Sequence, residues 1–102
     1  MMNAHAIPEI HILEETEAEF EALYRILIHN DSITPMDFVV HVLTTIFFLG
    51  TPNAMDIMLK AHITGTAYVQ TVSKSEAEKR VNKAHSLADT QGYPLQFSME
   101  PE

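Results

Sequence analysis

Apolar residues along the chain follow two different spacings, and these spacings divide the sequence into strands and helices. Residues 24–30, 66–72 and 94–99 are short runs rich in β-forming side chains, and the last alternates apolar with polar positions. These runs predict three strands. Between them lie three stretches in which apolar residues recur every three or four positions, which is the spacing of an amphipathic helix.

Capping residues, prolines and glycines predict where the three helices begin and end. The predicted N-caps are, in chain order, Thr34, Thr51 and Ser75, and the glycines expected to end the helices are Gly50, Gly65 and Gly92. Pro35 and Pro52 follow the first two caps, at a position where a helix tolerates proline. Glu78 follows the third cap by three residues, which is the spacing of a capping box.

Each predicted helix has one apolar face that must be covered. The predicted faces are Phe38, Val39, Val42, Leu43, Ile46 and Phe47 in the first helix, Ala54, Met55, Met58, Leu59 and His62 in the second, and Ala77, Val81, Ala84, Leu87 and Ala88 in the third. A small sheet with helices on one face would bury all of them. We therefore expect a single α+β domain of order β-α-α-β-α-β, with a three-stranded sheet packed on three helices.

Charge separates a predicted N-terminal extension from this domain. Residues 1–21 contain six glutamates and no basic residue, whereas four of the six basic residues fall within residues 74–83. We interpret residues 1–21 as a flexible acidic extension and residues 22–102 as the folded domain. Such uneven charge suggests protein partners, although a solvated face explains a charge run as well.

Composition excludes several function classes. The net charge is −8, which disfavours nucleic-acid binding, since phosphate contacts need a basic face. The chain has no cysteine, so disulfides and thiolate metal sites are excluded, and a reducing compartment is compatible. No apolar run reaches the length of a membrane span, and no secretory signal is visible. We expect a cytoplasmic protein with no membrane partner.

The residues also give little support to catalysis or to a bound cofactor. The six histidines lack the paired spacing of metal ligands; they are His5, His11, His29, His41, His62 and His85. No two glycines lie close enough to form a phosphate-binding loop. No glycine-rich turn presents a serine or threonine nucleophile. We expect no metal, no cofactor and no enzyme activity.

One segment, residues 29–39, concentrates chemically useful side chains between a strand and a helix. Read alone, its Asn30 and Asp31 are ordinary turn formers, and Met36 is a core filler. His62, on the second predicted helix, is on the same basis a partly buried helical histidine. General sequence rules therefore assign these residues a structural role only.

Two motifs resemble the signature of the ClpS adaptors. The first is Asn30-Asp31-Ser32 followed by Thr34-Pro35-Met36, similar to the family's Asn-Asp-Asp and Thr-Pro-Met. The second is Met58-Leu59 followed by His62 and Gly65, and the ending Tyr93-Pro94-Leu95 also aligns. The resemblance covers about residues 22–100. It implies an adaptor that binds proteins with bulky hydrophobic N-terminal residues (Leu, Phe, Tyr, Trp) and delivers them to a Clp AAA+ ATPase–protease.

The resemblance also implies a binding site between the first two helices. The residues that would hold the α-amino group of the substrate are Asn30, Asp31, Ser32 and His62. Those that would line a hydrophobic pocket for its first side chain are Ile28, Thr34, Met36, Val39, Met58, Ala61 and Leu95. An α-ammonium has three donors, which suits amide, carboxylate and imidazole acceptors. Met36 is implied to act as a gate against side chains branched at the β-carbon.

The sequence departs from the family pattern at Ser32, where the family has a second aspartate, and at Ala61, where larger aliphatic residues are common. A hydroxyl accepts a hydrogen bond but supplies no negative charge. For the partner surface, the family implies docking on the N-terminal domain of a ClpA- or ClpC-type ATPase. The corresponding residues are Glu78, Lys79 and Arg80, and the acidic extension would take part in handing substrate over. A solvated helix with a Glu76–Arg80 pair is the alternative for this face.

Three function classes remain open from the sequence. The first is the adaptor for proteins with hydrophobic N-terminal residues. The second is a divergent adaptor that docks on the Clp ATPase and modulates it without reading N-termini, a possibility kept open by Ser32. The third is an enzyme with an unrecognised site at Asp31 and His62, which the motifs leave without a nucleophile.

Overall fold

The computed structural model describes residues 21–102, and its elements follow the predicted order β-α-α-β-α-β. They are β1 (Leu23–His29), α1 (Met36–Thr45), α2 (Thr51–Thr64), β2 (Thr66–Ser73), α3 (Lys74–Gln91) and β3 (Gln96–Pro101). The predicted α+β class and element order are therefore confirmed. Apart from Glu21, the predicted acidic extension of residues 1–21 lies outside the described residues.

β1 is the central strand of an antiparallel sheet whose strand order is β2-β1-β3. Ile28 of β1 lies opposite Ala67 on one side and Phe97 on the other. Because alternate residues of a strand face opposite sides of the sheet, Ile26 and Ile28 turn towards the helices together, and both are fully buried. The middle strand thus supplies the floor on which the helices pack.

The core lies between this sheet and the three helices. Its largest fully buried side chains are Phe47, Ile26, Ile28, Leu43 and Val42. The ring of Phe47 lies 4.8 Å from that of Phe97, measured between centroids. The buried face of α3 belongs to the same core and consists of small residues, Ala77, Val81, Ala84 and Ala88. His85 ties α3 to β3, since its Nε2 accepts a hydrogen bond of 2.9 Å from the Phe97 amide.

The predicted ends of α1 are wrong, and side-chain chemistry explains the difference. The N-cap is Pro35 rather than Thr34, because the Thr34 hydroxyl donates to the Asp31 carboxylate instead. The helix ends at Thr45, well before Gly50, and Phe48 has a positive φ of 58°. Ile46 and Phe47 are nonetheless buried. Because these two apolar residues continue the helical spacing, the sequence predicted a helix longer than the one observed.

The predicted buried face of α2 is also partly wrong. The residues that α2 buries are Ala54, Ile57, Met58 and Ala61. Met55 and Leu59, predicted to be buried, are 46% and 43% exposed, and His62 is exposed as well. The N-cap is Gly50 rather than Thr51. A helix that packs on one side only can carry large apolar residues on its exposed side. The spacing of apolar residues alone does not reveal which of them are buried.

The N-cap of α3 lies two residues earlier than predicted. The N-cap is Ser73, whose hydroxyl accepts a hydrogen bond of 3.4 Å from the Glu76 amide. Ser75, the predicted cap, instead donates through both its amide and its hydroxyl to the carboxylate of Glu21. At the other ends, Gly65 and Gly92 have positive φ values of 97° and 75°. These left-handed residues end α2 and α3 as predicted.

Candidate functional site

A cavity of about 280 Å³ opens where the end of β1, the start of α1 and the end of α2 meet. Every residue predicted for the amino-group site and the hydrophobic pocket lines it: Asn30, Asp31, Ser32 and His62 from the first set, and Ile28, Thr34, Met36, Val39, Met58, Ala61 and Leu95 from the second. Residues separated by more than 60 positions in sequence are thus brought to one concave surface.

The floor of the cavity is apolar because three elements turn buried residues towards it. Ile28 comes from β1, and Val39 from the inner face of α1. Met58 and Ala61 stand on the buried face of α2. Ala61 is 3% exposed, and its single methyl group leaves room that a larger residue on the same helix face would occupy. The floor therefore suits an apolar side chain.

The polar rim is positioned by main-chain hydrogen bonding. The Asn30 amide donates to the Gly65 carbonyl across 2.9 Å, which joins the end of β1 to the end of α2. Asn30 follows the last residue of β1, and His62 lies on the last turn of α2. This bond therefore holds the backbones that carry the two side chains, and both side chains are exposed at the cavity mouth.

Asp31 organises the loop between β1 and α1. Its carboxylate accepts hydrogen bonds from the Ile33 amide at 2.8 Å, the Thr34 amide at 2.7 Å and the Thr34 hydroxyl at 2.9 Å. Partial burial raises the pKa of the Asp31 carboxyl, but these hydrogen bonds outweigh burial and hold the pKa below its ordinary value. A carboxylate offers about four acceptor positions, so roughly one is left after these three hydrogen bonds, and Asp31 lines the cavity.

The cavity is also lined by residues that the sequence predictions omitted. His29, Ile33 and Pro35 line the cavity as well. Ile33 is 65% exposed, and its amide is fixed by Asp31, so its side chain projects from a well-defined loop at the mouth. Asp31 is the sequence signal that could have predicted this loop, because an aspartate side chain commonly accepts hydrogen bonds from the backbone amides that follow it.

The predicted docking residues stand on α3 and do not line this cavity. Glu78 and Lys79 are exposed. Arg80 is held within the fold: its Nε donates to Glu76 and one of its terminal nitrogens donates to Gln70, each across 2.8 Å. The Arg80 hydrogen bond keeps the pKa of the Glu76 carboxyl below its ordinary value. The Glu76–Arg80 pair considered from the sequence is thus present, beside two accessible neighbours.

The arrangement gives no support to the enzyme alternative. Within residues 21–102, no hydrogen bond joins His62 to Asp31, and the Thr34 hydroxyl is engaged by Asp31. The same part of the chain contains no group of three or more His, Asp or Glu side chains able to hold a metal ion. No helix in this described region has the length and apolar character needed to cross a membrane. What remains is a cavity with an apolar floor and a polar rim.

A concave apolar surface with a few convergent polar groups is typical of a ligand-binding site. Residues 19–98 match the family model of the ATP-dependent Clp protease adaptor protein ClpS. The chain is 38% identical to the ClpS adapter of Desulfatibacillum aliphaticivorans, over 84% of this chain and 83% of that one. It is 44% identical to the ClpS adapter of Roseobacter denitrificans, over 78% and 71%.

A solved structure is similar too. Agrobacterium tumefaciens ClpS2 bound to L-phenylalaninamide superposes with a TM-score of 0.76 at 34% identity, covering 79% of this chain and 98% of that one. The chain therefore belongs to the ClpS family of adaptor proteins of the ATP-dependent Clp protease.

Proposed function

We propose that this adaptor binds, in the cytoplasm, proteins whose N-terminal residue is Leu, Phe, Tyr or Trp and delivers them to a Clp AAA+ ATPase–protease. The observation that supports the proposal best is a cavity that combines an apolar floor with a rim of hydrogen-bond acceptors. An N-terminal residue is the one part of a protein chain that presents an ammonium directly beside a hydrophobic side chain. The bound ligand of the Agrobacterium relative, phenylalaninamide, has the same combination.

At the rim, the α-ammonium would be shared among the side-chain oxygen of Asn30, the open acceptor position of Asp31 and an imidazole nitrogen of His62. Ser32 would contribute through its hydroxyl, directly or through water. Three donors and three or four acceptors match in number. Because Asp31 already supports its own loop, its position towards the amine would be fixed before the substrate arrives.

In the floor, the first side chain would replace water against Ile28, Val39, Met58 and Ala61. Burial of a Leu or Phe side chain is worth roughly 1.5–3 kcal/mol. A cavity of about 280 Å³ is small for a ligand site, which suits one side chain and no more. Recognition would therefore be limited to the first residue of the substrate.

For delivery, we propose that the N-terminal domain of a ClpA- or ClpC-type ATPase contacts the start of α3 through Glu78, Lys79 and Arg80. Glu78 and Lys79 are accessible, and Arg80 is pre-oriented by Glu76 and Gln70. Since none of these residues lines the cavity, substrate and ATPase could bind at the same time. An adaptor needs such separation of its two surfaces.

A panel of peptides that differ only in their first residue tests this function. We expect peptides beginning with Leu, Phe, Tyr or Trp to bind about 10-fold more tightly than those beginning with Ile or Val. A methyl group forced against a packed wall costs about 1–3 kcal/mol, and Met36, which lines the cavity and is 44% exposed, would supply that wall. Met36→Ala should narrow the difference between Leu and Ile. Fluorescence anisotropy of labelled peptides measures both effects.

Equal binding of Leu and Ile peptides to the unmodified protein would contradict the gate assigned to Met36. Failure of every peptide to bind would favour the second candidate, a ClpS protein that modulates the ATPase without reading N-termini. Ser32, which lacks the carboxylate that the resemblance leads one to expect there, is the observation behind that candidate.

His62→Ala should weaken binding of a Leu-initiated peptide by about 1–3 kcal/mol, because a charged donor loses its acceptor. The fold should be unaffected, since His62 is exposed at the cavity mouth. The matched control is His41→Ala, which removes an exposed histidine of α1 outside the cavity and should leave affinity unchanged. Loss of the folded state on His62→Ala, seen by circular dichroism, would instead assign His62 a structural role.

A further inference from the structure

The methionines in the described part of the chain differ in how far they are exposed. They are Met36, Met55, Met58 and Met99. Met36 and Met55 are 44% and 46% exposed, whereas Met58 is 8% exposed and Met99 is partly buried against the core. The thioethers of Met36 and Met55 are therefore open to reagents in the solvent, and they are open to nearly the same extent.

Met36 differs from Met55 in its position relative to the cavity. Met36 lines the cavity, whereas Met55, on α2, does not. Met36 is the first residue of α1, and the loop that precedes it is held by the hydrogen bonds from Ile33 and Thr34 to Asp31. The main chain of Met36 is thus fixed beside the cavity while its side chain stays partly in solvent. This position combines an oxidisable sulfur with a surface that a ligand would cover.

Hydrogen peroxide converts the thioether of methionine into a sulfoxide. A lone pair of Sδ attacks one peroxide oxygen, the O–O bond breaks and an S–O bond forms. The sulfur gives up two electrons to the peroxide, whose second oxygen leaves as water. The product is a polar side chain in place of an apolar one. Since the chain has no cysteine, no thiol of its own competes for the oxidant.

We propose that Met36 is an oxidation site at which sulfoxide formation weakens binding of hydrophobic N-terminal residues. In the reduced protein, the thioether would pack against the incoming side chain. In the oxidised protein, the sulfoxide oxygen would lose its water when that side chain binds, and the apolar floor offers it no hydrogen-bond donor. Burial of one such group should lower affinity about 10-fold or more. This consequence rests on the proposed function.

Oxidation of Met36 would act on binding and leave the fold intact. In the unliganded protein the side chain is partly exposed, so a sulfoxide there stays hydrated. Met58 differs, because it lies on the buried face of α2 and a sulfoxide there would disrupt the core. Thiol-dependent sulfoxide reductases restore methionine; two thiols are oxidised to a disulfide and the oxygen leaves as water. Peroxide would therefore inhibit substrate binding reversibly.

Peroxide treatment of the full-length protein tests this inference. Mass spectrometry of peptide digests measures oxidation at each methionine, and fluorescence anisotropy with a methionine-free, Leu-initiated peptide measures affinity after the peroxide is removed. We expect Met36 and Met55 to be oxidised at comparable rates and Met58 more slowly. Affinity should fall about 10-fold with an unchanged circular dichroism spectrum, and reductase with dithiothreitol should restore it. Saturating peptide should protect Met36 from peroxide and leave Met55 unprotected.

Two variants, each compared with its own untreated form, assign the effect to one sulfur. The treated Met55→Leu protein should lose affinity as the unmodified sequence does, whereas Met36→Leu should show no loss on treatment. A loss that persists in Met36→Leu, or unchanged affinity when Met36 is fully oxidised, would overturn the inference. Resistance of Met36 to peroxide under conditions that oxidise Met55 would do the same. Absence of peptide binding before any treatment is a separate result, which would overturn the proposed function and this inference with it.

Discussion

A peptide that begins with leucine is expected to lose all measurable binding to this protein when its N-terminus is acetylated. Acetylation removes the positive charge and two of the three donors that the rim of Asn30, Asp31 and His62 would accept. Hydrogen bonds to charged groups are worth about 1.5–3 kcal/mol each, so the loss of two weakens binding by about 100-fold or more. Titration of C-terminally labelled peptides by fluorescence anisotropy measures the difference.

A matched control is the same peptide with one glycine added before the leucine. It keeps a free ammonium but moves it one residue away from the side chain, and it should bind as poorly as the acetylated peptide. Equal affinity for the free and acetylated peptides would show that the rim does not bind the α-ammonium group. Poor binding of the acetylated peptide alone would indicate that charge, and not its position beside leucine, determines affinity.

Phe47→Ala is expected to lower the free energy of unfolding by about 3–5 kcal/mol, the usual cost of removing a fully buried phenylalanine. Phe47 is 1% exposed, and its ring packs against Phe97 at 4.8 Å. Its carbonyl also accepts a hydrogen bond from the side chain of Gln70. Since small domains are stable by about 5–15 kcal/mol in total, the variant should be marginally folded. Urea denaturation followed by circular dichroism measures the change.

The neighbouring residue supplies the control. Phe48 is the same residue type but is 71% exposed, and the Arg80 guanidinium lies 5.0 Å from its ring centroid, so Phe48→Ala should change stability by no more than about 1 kcal/mol. Its φ of 58° is unfavourable for a side chain with a β-carbon, so Phe48→Gly should be at least as stable as Phe48→Ala. If Phe47→Ala and Phe48→Ala destabilised equally, the assignment of Phe47 to the core would be wrong.

The sequence predicted the number, order and type of the elements because those depend on period and on glycine stops. Gly65 and Gly92 end helices through left-handed backbone, a property of the residue itself. The residue at which a helix begins depends instead on which polar side chain accepts a hydrogen bond from which backbone amide. Thr34 and Ser75 looked like caps, but Asp31 and Glu21 engage them. Competition of this kind is decided by three-dimensional proximity and is not visible in local sequence.

The candidate site was predicted from the two family motifs, and the sequence alone would have missed it. General sequence rules predicted that Asp31 forms a turn and that Met36 is a core residue. Asp31 does form the turn, yet it also lines the cavity, and Met36 is 44% exposed at the mouth. One residue can serve the loop and the cavity together, and turn statistics describe only the loop. The roles assigned to these residues in ligand binding stay predictions.

The main-chain bond between Asn30 and Gly65 has a consequence for the entropy of recognition. Because this bond and the Asp31 turn are formed during folding, the main chain of the rim is already ordered before any ligand binds. The loss of conformational freedom on binding would then fall on the incoming chain and on the exposed side chains of Asn30 and His62. We therefore expect a disordered N-terminus to pay an ordering cost for its first residue only, and the sequence that follows to alter affinity little.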